Sequence, residues 1–216
     1  MEQTIKILIY IHAFCGGLGL VTGIVSVWAR KGGLPHRKAG KVFSYAMGAS
    51  SLISLFVSRM PGHENLFLFL IGVFTLYMVL AGNRALTFKS KVKVKADLLD
   101  YLISGTMLVI SVIMIGLGLW AIIQKSEGIL YIFFGGFGLL MTLNDFRMFR
   151  TFAENKDARL RSHLGRMIGA LIASTTAFMI AGLNIPTLFI WIMPSILGTI
   201  YIIYWSRKLK AERSAV

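Results

Sequence analysis

The chain has 216 residues, 56% hydrophobic and 15% charged, with 23 Lys and Arg against 9 Asp and Glu for a net charge of +14. A mean hydropathy of +0.72, with a charged share well below the rough quarter usual in soluble domains, excludes a water-soluble globular domain and indicates an integral membrane protein. A single cysteine, Cys15, excludes an internal disulfide or a thiolate metal cluster and suits a small packing residue.

A bilayer core of about 30 Å takes roughly 20 helical residues to cross. Apolar runs of that order are predicted at 5–28, 42–60, 65–86, 98–123, 129–148, 163–183 and 187–206. Strictly alternating segments of about ten residues, which a membrane barrel needs, do not occur, so the expected fold is an all-α bundle of seven transmembrane helices. The first run is too long for the apolar part of a cleavable leader, and its positive charges follow it, so it is expected to stay in the membrane.

That first span carries His12 about seven residues from its start, on one face with Gly16, Gly19 and Gly23. A histidine above a glycine stripe can ligate a b-type haem, since imidazole supplies an axial bond and glycines let a porphyrin approach. It can equally be a neutral histidine bonded to a neighbouring helix across a close packing face. His36 and His163 precede the "GK" and "GR" that open spans 2 and 6, and His63 lies between spans 2 and 3. Asn83 and Arg84 close span 3, Asp100 opens span 4, and Asn144, Asp145 and Arg147 close span 5. Asp145 lies among apolar residues, where an uncompensated charge costs several kcal/mol, so a partner is expected among Arg84, Arg147 and Arg166. Ion pairs clamping helix ends would explain this polar set; so would an anion or proton site at the inner mouth, with Asp145 or a histidine titrating. Span 7 contains no lysine, which excludes a retinal Schiff base there.

The basic residues divide unevenly among the connections. Lys6, Arg59 and Lys125 fall on one side and the other 20 on the opposite side, which the positive-inside rule makes cytoplasmic. The N-terminus is then outside and the C-terminus inside. The charge is read as a topology signal with attraction to anionic lipid headgroups, and "KSKVKVKAD" fits a loop facing them; no nucleic-acid partner is implied.

"YIHAFCGGLGLVTG" from Tyr10 returns as "YIFFGGFGLLMTLND" from Tyr131, so that Gly16, Gly17 and Gly19 match Gly135, Gly136 and Gly138 at an offset of 119. Span 2 matches span 6 more loosely, with Ser44, Gly48 and Ser51 against Gly169, Ala173 and Thr176. The expected arrangement is a single transmembrane domain in which 5–86 and 129–208 form parallel three-helix repeats joined by a linking helix at 98–123.

No glycine-rich phosphate loop, His-Glu-x-x-His zinc motif or nucleophilic triad is present, and no catalytic role or dedicated metal site is expected. "HAFCGGLGLVTG", "LPHRKAGKVF" and "HLGRMIGALIA" together resemble a family of uncharacterised bacterial multi-spanning membrane proteins with a histidine in the first helix and a His-Arg-x-x-Gly loop before the second. The resemblance implies residence in a bacterial inner membrane and brings no reaction. The leading functional expectation is binding or translocation of a small solute or ion between the repeats, with no cofactor. The candidate binding residues are His12, His36, Asn83, Arg84, Asp100, Asn144, Asp145, Arg147, His163 and Arg166. The alternatives are a b-haem electron carrier, with His12 and His63 as a possible ligand pair, and a non-catalytic subunit of a membrane complex.

Overall fold

The computed structural model describes residues 2–88, 93, 95–151, 157–185 and 187–214. It contains seven α-helices: α1 Glu2–Trp28, α2 Leu34–Val57, α3 Leu66–Ala85, α4 Leu98–Ile123, α5 Ile129–Thr151, α6 Ala158–Ala177 and α7 Leu188–Ser214. Each provides a segment long and apolar enough to cross a membrane, and α6 continues through a π turn, Phe178–Gly182. Among the described residues there is no strand.

Local chemistry sets the helix starts. Pro35 falls in the first turn of α2, where its fixed φ suits the helix and its missing N–H leaves no donor unpaired. α2 therefore begins eight residues before the apolar run expected at 42, and His36, Arg37 and Gly40 lie on the helix, not in a loop. Asn65 caps α3 by accepting from the Leu68 N–H at 3.0 Å. Asp97 and Asp100 form a capping box at α4, each side chain accepting from the other's N–H at 3.1 and 2.9 Å. α6 also begins early, at Ala158, which places His163 on its second turn.

α1 lies along α2 and α4 lies along α5. α3 and α6 pack against each other between these hairpins, α3 touching α2 and α4, α6 touching α1 and α7. The buried centre is drawn from α2 to α6 and includes Phe43, Phe74, Tyr77, Met107, Phe134 and Ala170. Three methionines, Met78, Met107 and Met114, are wholly buried there, unbranched side chains that fill irregular gaps between helices.

These neighbours do not follow the expected parallel repeat. α5, the expected counterpart of α1, lies along α4 and meets α6 at only a few positions. The matched glycines explain the difference. A side-chain carbon at Gly19 would stand 2.6 Å from the Met47 sulfur of α2, whereas one at Gly135 would stand 3.0 Å from the Ser111 carbonyl of α4. Both stripes permit close approach, but they are used against different helices.

The α1–α2 hairpin carries its own symmetry. His12 and Ser26 on α1 are 14 residues apart, as are His36 and Ser50 on α2, nearly four turns and so one face. His12 Nδ1 lies 2.9 Å from the Ser50 carbonyl, while Ser50 Oγ donates to the His12 carbonyl at 3.1 Å. At the other end His36 Nδ1 lies 2.9 Å from the Ser26 carbonyl, and Ser26 Oγ donates to the His36 carbonyl at 3.4 Å. Each histidine thus fastens one end of an antiparallel helix pair.

Two clefts on either side of α6

A buried ionic knot holds the centre of the bundle. Asp145, 2% exposed, accepts from Arg166 Nη2 at 2.5 Å on one oxygen. Its other oxygen accepts from Tyr77 Oη at 2.6 Å and Ser104 Oγ at 3.0 Å. The same Arg166 nitrogen donates to the Met141 carbonyl at 2.6 Å, and its guanidinium lies 5.6 Å from the Tyr77 ring centroid. One carboxylate thereby joins α3, α4, α5 and α6, and the buried charge is compensated by an opposite charge plus hydrogen bonds, as burial demands. Arg166 is the partner, from the three arginines considered for Asp145.

Arg84 belongs to a separate cluster at the same basic end. It donates to Asp100 at 2.6 Å and to both oxygens of Asp97 at 2.7 and 2.6 Å. Lys93 adds a bond to Asp97 at 3.0 Å and another to Asp100. The Lys93 ammonium, the Asp100 main-chain N–H and the Arg84 charge hold the Asp97 carboxyl well below the usual carboxylate range. This cluster ties the end of α3 to the cap of α4, so Arg84 and Asp100 serve a helix junction.

The remaining candidates separate into two clefts, one on each side of α6. The first, about 610 Å³, lies between α5, α6 and α7 with α3 at its back. Phe133, Phe134 and Phe137 form part of its apolar wall, and Asn144, Arg147, Arg161 and Arg166 contribute its polar part. No carboxylate is among the described residues that line it. Two buried polar atoms there have no hydrogen-bond partner, Ser162 Oγ and Arg166 Nε. These residues stand one turn apart on α6, which brings both side chains to one face.

The second cleft, about 630 Å³, lies among α1, α2, α6 and α7, with Asn83 of α3 at its edge. It receives His36 and His163, with Lys31, Arg37 and Lys41 from the start of the α1–α2 connection and of α2. Partial burial lowers the Lys31 ammonium from its usual value, and its Nζ lies 5.3 Å from the Trp205 ring centroid. His163 Nδ1 is 2.9 Å from the Gly82 carbonyl of α3. Asn83 donates to the Val79 carbonyl at 2.9 Å and accepts from Ser44 Oγ at 3.3 Å.

His12 lines neither cleft. His12 is bound to Ser50, and α2 runs on past Ser50 to Val57 before the exposed loop that carries His63, roughly 10 Å of helix at 1.5 Å per residue. The residues that sequence reasoning did not single out are Tyr77, Ser104, Arg161, Ser162 and Trp205. Tyr77 and Ser104 lie in apolar spans, where a polar group is itself a signal; Arg161 was counted only as part of the basic surface. Compared with protein-family models, curated proteins and solved structures, the chain matches none.

Proposed function

We propose that this is a multi-pass protein of a bacterial inner membrane, N-terminus outside and C-terminus inside, that binds a small anionic solute in the cleft between α5, α6 and α7 and passes it toward the cytoplasm. The observation that carries the reading is the pair of buried donors without acceptors, Arg166 Nε and Ser162 Oγ, in a cleft whose described lining has three arginines and no carboxylate. An unmet buried donor costs about 1–3 kcal/mol, and an anion's oxygens would remove that cost. Two further arginines, Arg147 and Arg161, line the same cleft, which gives a bound anion charge-assisted bonds from more than one helix. The phenylalanine wall sets the apolar limit of the cleft and favours a solute with few other polar groups.

The direct test is titration of the protein in nanodiscs with inorganic phosphate, sulfate and acetate, followed by calorimetry, and then uptake of the bound anion into proteoliposomes. Ser162→Ala and Arg161→Gln leave the Asp145 knot intact and should each weaken binding, the arginine change by about 10- to 100-fold if one charge-assisted bond of about 1.5–3 kcal/mol is lost. Affinity for none of the three anions, or affinity untouched by both substitutions, would remove the proposal.

A further inference from the structure

The second cleft places two imidazoles where one ligand could meet both. His36 Nδ1 and His163 Nδ1 each lie 2.9 Å from a main-chain carbonyl, Ser26 on α1 and Gly82 on α3. A carbonyl oxygen only accepts, so each Nδ1 carries the proton, and each neutral ring keeps a lone pair on Nε2. Metal-ligating histidines hold this same tautomer through this same kind of bond. The two rings come from different helices, α2 and α6, and line one cleft.

The rest of the cleft discriminates between kinds of metal ligand. A bare divalent ion held by protein wants three or four donor side chains, and no group of three His, Cys, Asp or Glu forms such a cage among the described residues. An iron porphyrin supplies four equatorial nitrogens itself and asks the protein for two axial ligands, an apolar slot for the ring and cations for its carboxylates. Phe43, Leu164, Met167 and Leu171 supply apolar walls, and Lys31, Arg37 and Lys41 supply the cations.

We propose that this cleft binds one b-type haem with the Nε2 atoms of His36 and His163 as its axial ligands. The site is independent of the anion cleft across α6. His12 is no alternative ligand for it, because its Nδ1 is fastened to Ser50 elsewhere on the hairpin and it lines neither cleft.

The test is hemin titration of the full chain in nanodiscs, read by oxidised and reduced absorption spectra and by paramagnetic resonance. Saturation at one haem per chain, with a low-spin bis-imidazole signature that sharpens on reduction, is expected. His36→Ala and His163→Ala should each give a high-spin spectrum that added imidazole returns to low-spin. His163→Met, which keeps an axial donor, should give an imidazole–thioether spectrum and covers the case in which the alanine variant does not fold. His12→Ala should keep the wild-type spectrum, as should Ser162→Ala, which reports on the anion cleft alone. Hemin partitioning no better than into protein-free nanodiscs, or a bis-imidazole signature that survives His36→Ala and His163→Met alike, would overturn the assignment.

Discussion

Arg166 on α6 donates to Asp145 on α5 at 2.5 Å although the two helices otherwise barely touch. The ion pair therefore joins two helices that packing alone leaves apart, with both side chains buried. Removing one partner of a buried pair leaves an uncompensated charge and costs about 3–5 kcal/mol, whereas replacing both by apolar groups can be close to neutral. Arg166→Met should lower the unfolding midpoint in detergent sharply, and Asp145→Leu with Arg166→Met should recover most of the loss. Tyr77→Phe should cost about 1.5–3 kcal/mol by removing one bond to a charged group. Equal destabilisation by the single Arg166 change and the double change would contradict the knot as described.

Packing of the α1 glycines is testable with an internal control. A side-chain carbon at Gly23 would lie 2.7 Å from Leu171 and 3.0 Å from Phe43, whereas Gly17 has nothing within 4 Å. Gly23→Leu should cost about 1–3 kcal/mol from overpacking, and Gly17→Leu should leave stability unchanged when both are followed by thermal unfolding. Loss of stability in Gly17→Leu would mean that this face of α1 is not open.

The two histidine–serine clasps predict an end-specific effect. Ser50→Ala removes the hydroxyl that donates to the His12 carbonyl, at a cost of about 0.5–1.5 kcal/mol. The parallel change Ser26→Ala, where the bond is 3.4 Å, should cost less. Hydrogen exchange at the paired ends of α1 and α2 would resolve them: Ser50→Ala should raise exchange near His12, and Ser26→Ala near His36.

Acid should loosen the α3–α4 junction. The Asp97 carboxyl is held below its usual range by Lys93, the Asp100 N–H and Arg84. A carboxyl depressed by folding stabilises in full above its unfolded value, about 3.9, and loses that contribution as pH falls through the folded value. Stability should therefore be insensitive to Asp97 between about pH 7 and 5 and fall with it below about pH 4. Asp97→Asn retains a good helix cap but abolishes this titration, so the difference between the two proteins in thermal midpoint should narrow in acid. A constant difference down to pH 2 would exclude the linkage.

The proposed orientation rests on the 20-to-3 division of basic residues and can be measured directly. A reporter active only in the cytoplasm should work when fused after Val216 and stay silent when inserted between Gln124 and Gly128. The reverse pattern would invert the protein, and with it the direction proposed for the solute.

The sequence by itself determined the seven helices, because an apolar run of that length in a bilayer has to close its own backbone hydrogen bonds. It also determined that Asp145 needed an arginine, since the cost of a bare buried carboxylate does not depend on which helix supplies the partner. The partner itself, Arg166, and the third and fourth members Tyr77 and Ser104, lie 21, 68 and 41 residues away in the chain. Only the crossing of α3, α4, α5 and α6 brings them together. The repeated glycines show the same limit. Gly16, Gly19, Gly135 and Gly138 announced that some helix approaches closely, but a missing side chain offers room without choosing an occupant. Which helix fills that room is settled by complementary surface elsewhere: Met47 and Ser50 on α2 for the first pair, Met107 and Ser111 on α4 for the second. For the same reason the two clefts were invisible in the sequence. A cavity is a place where helices fail to meet, and that depends on the packing of every other face at once.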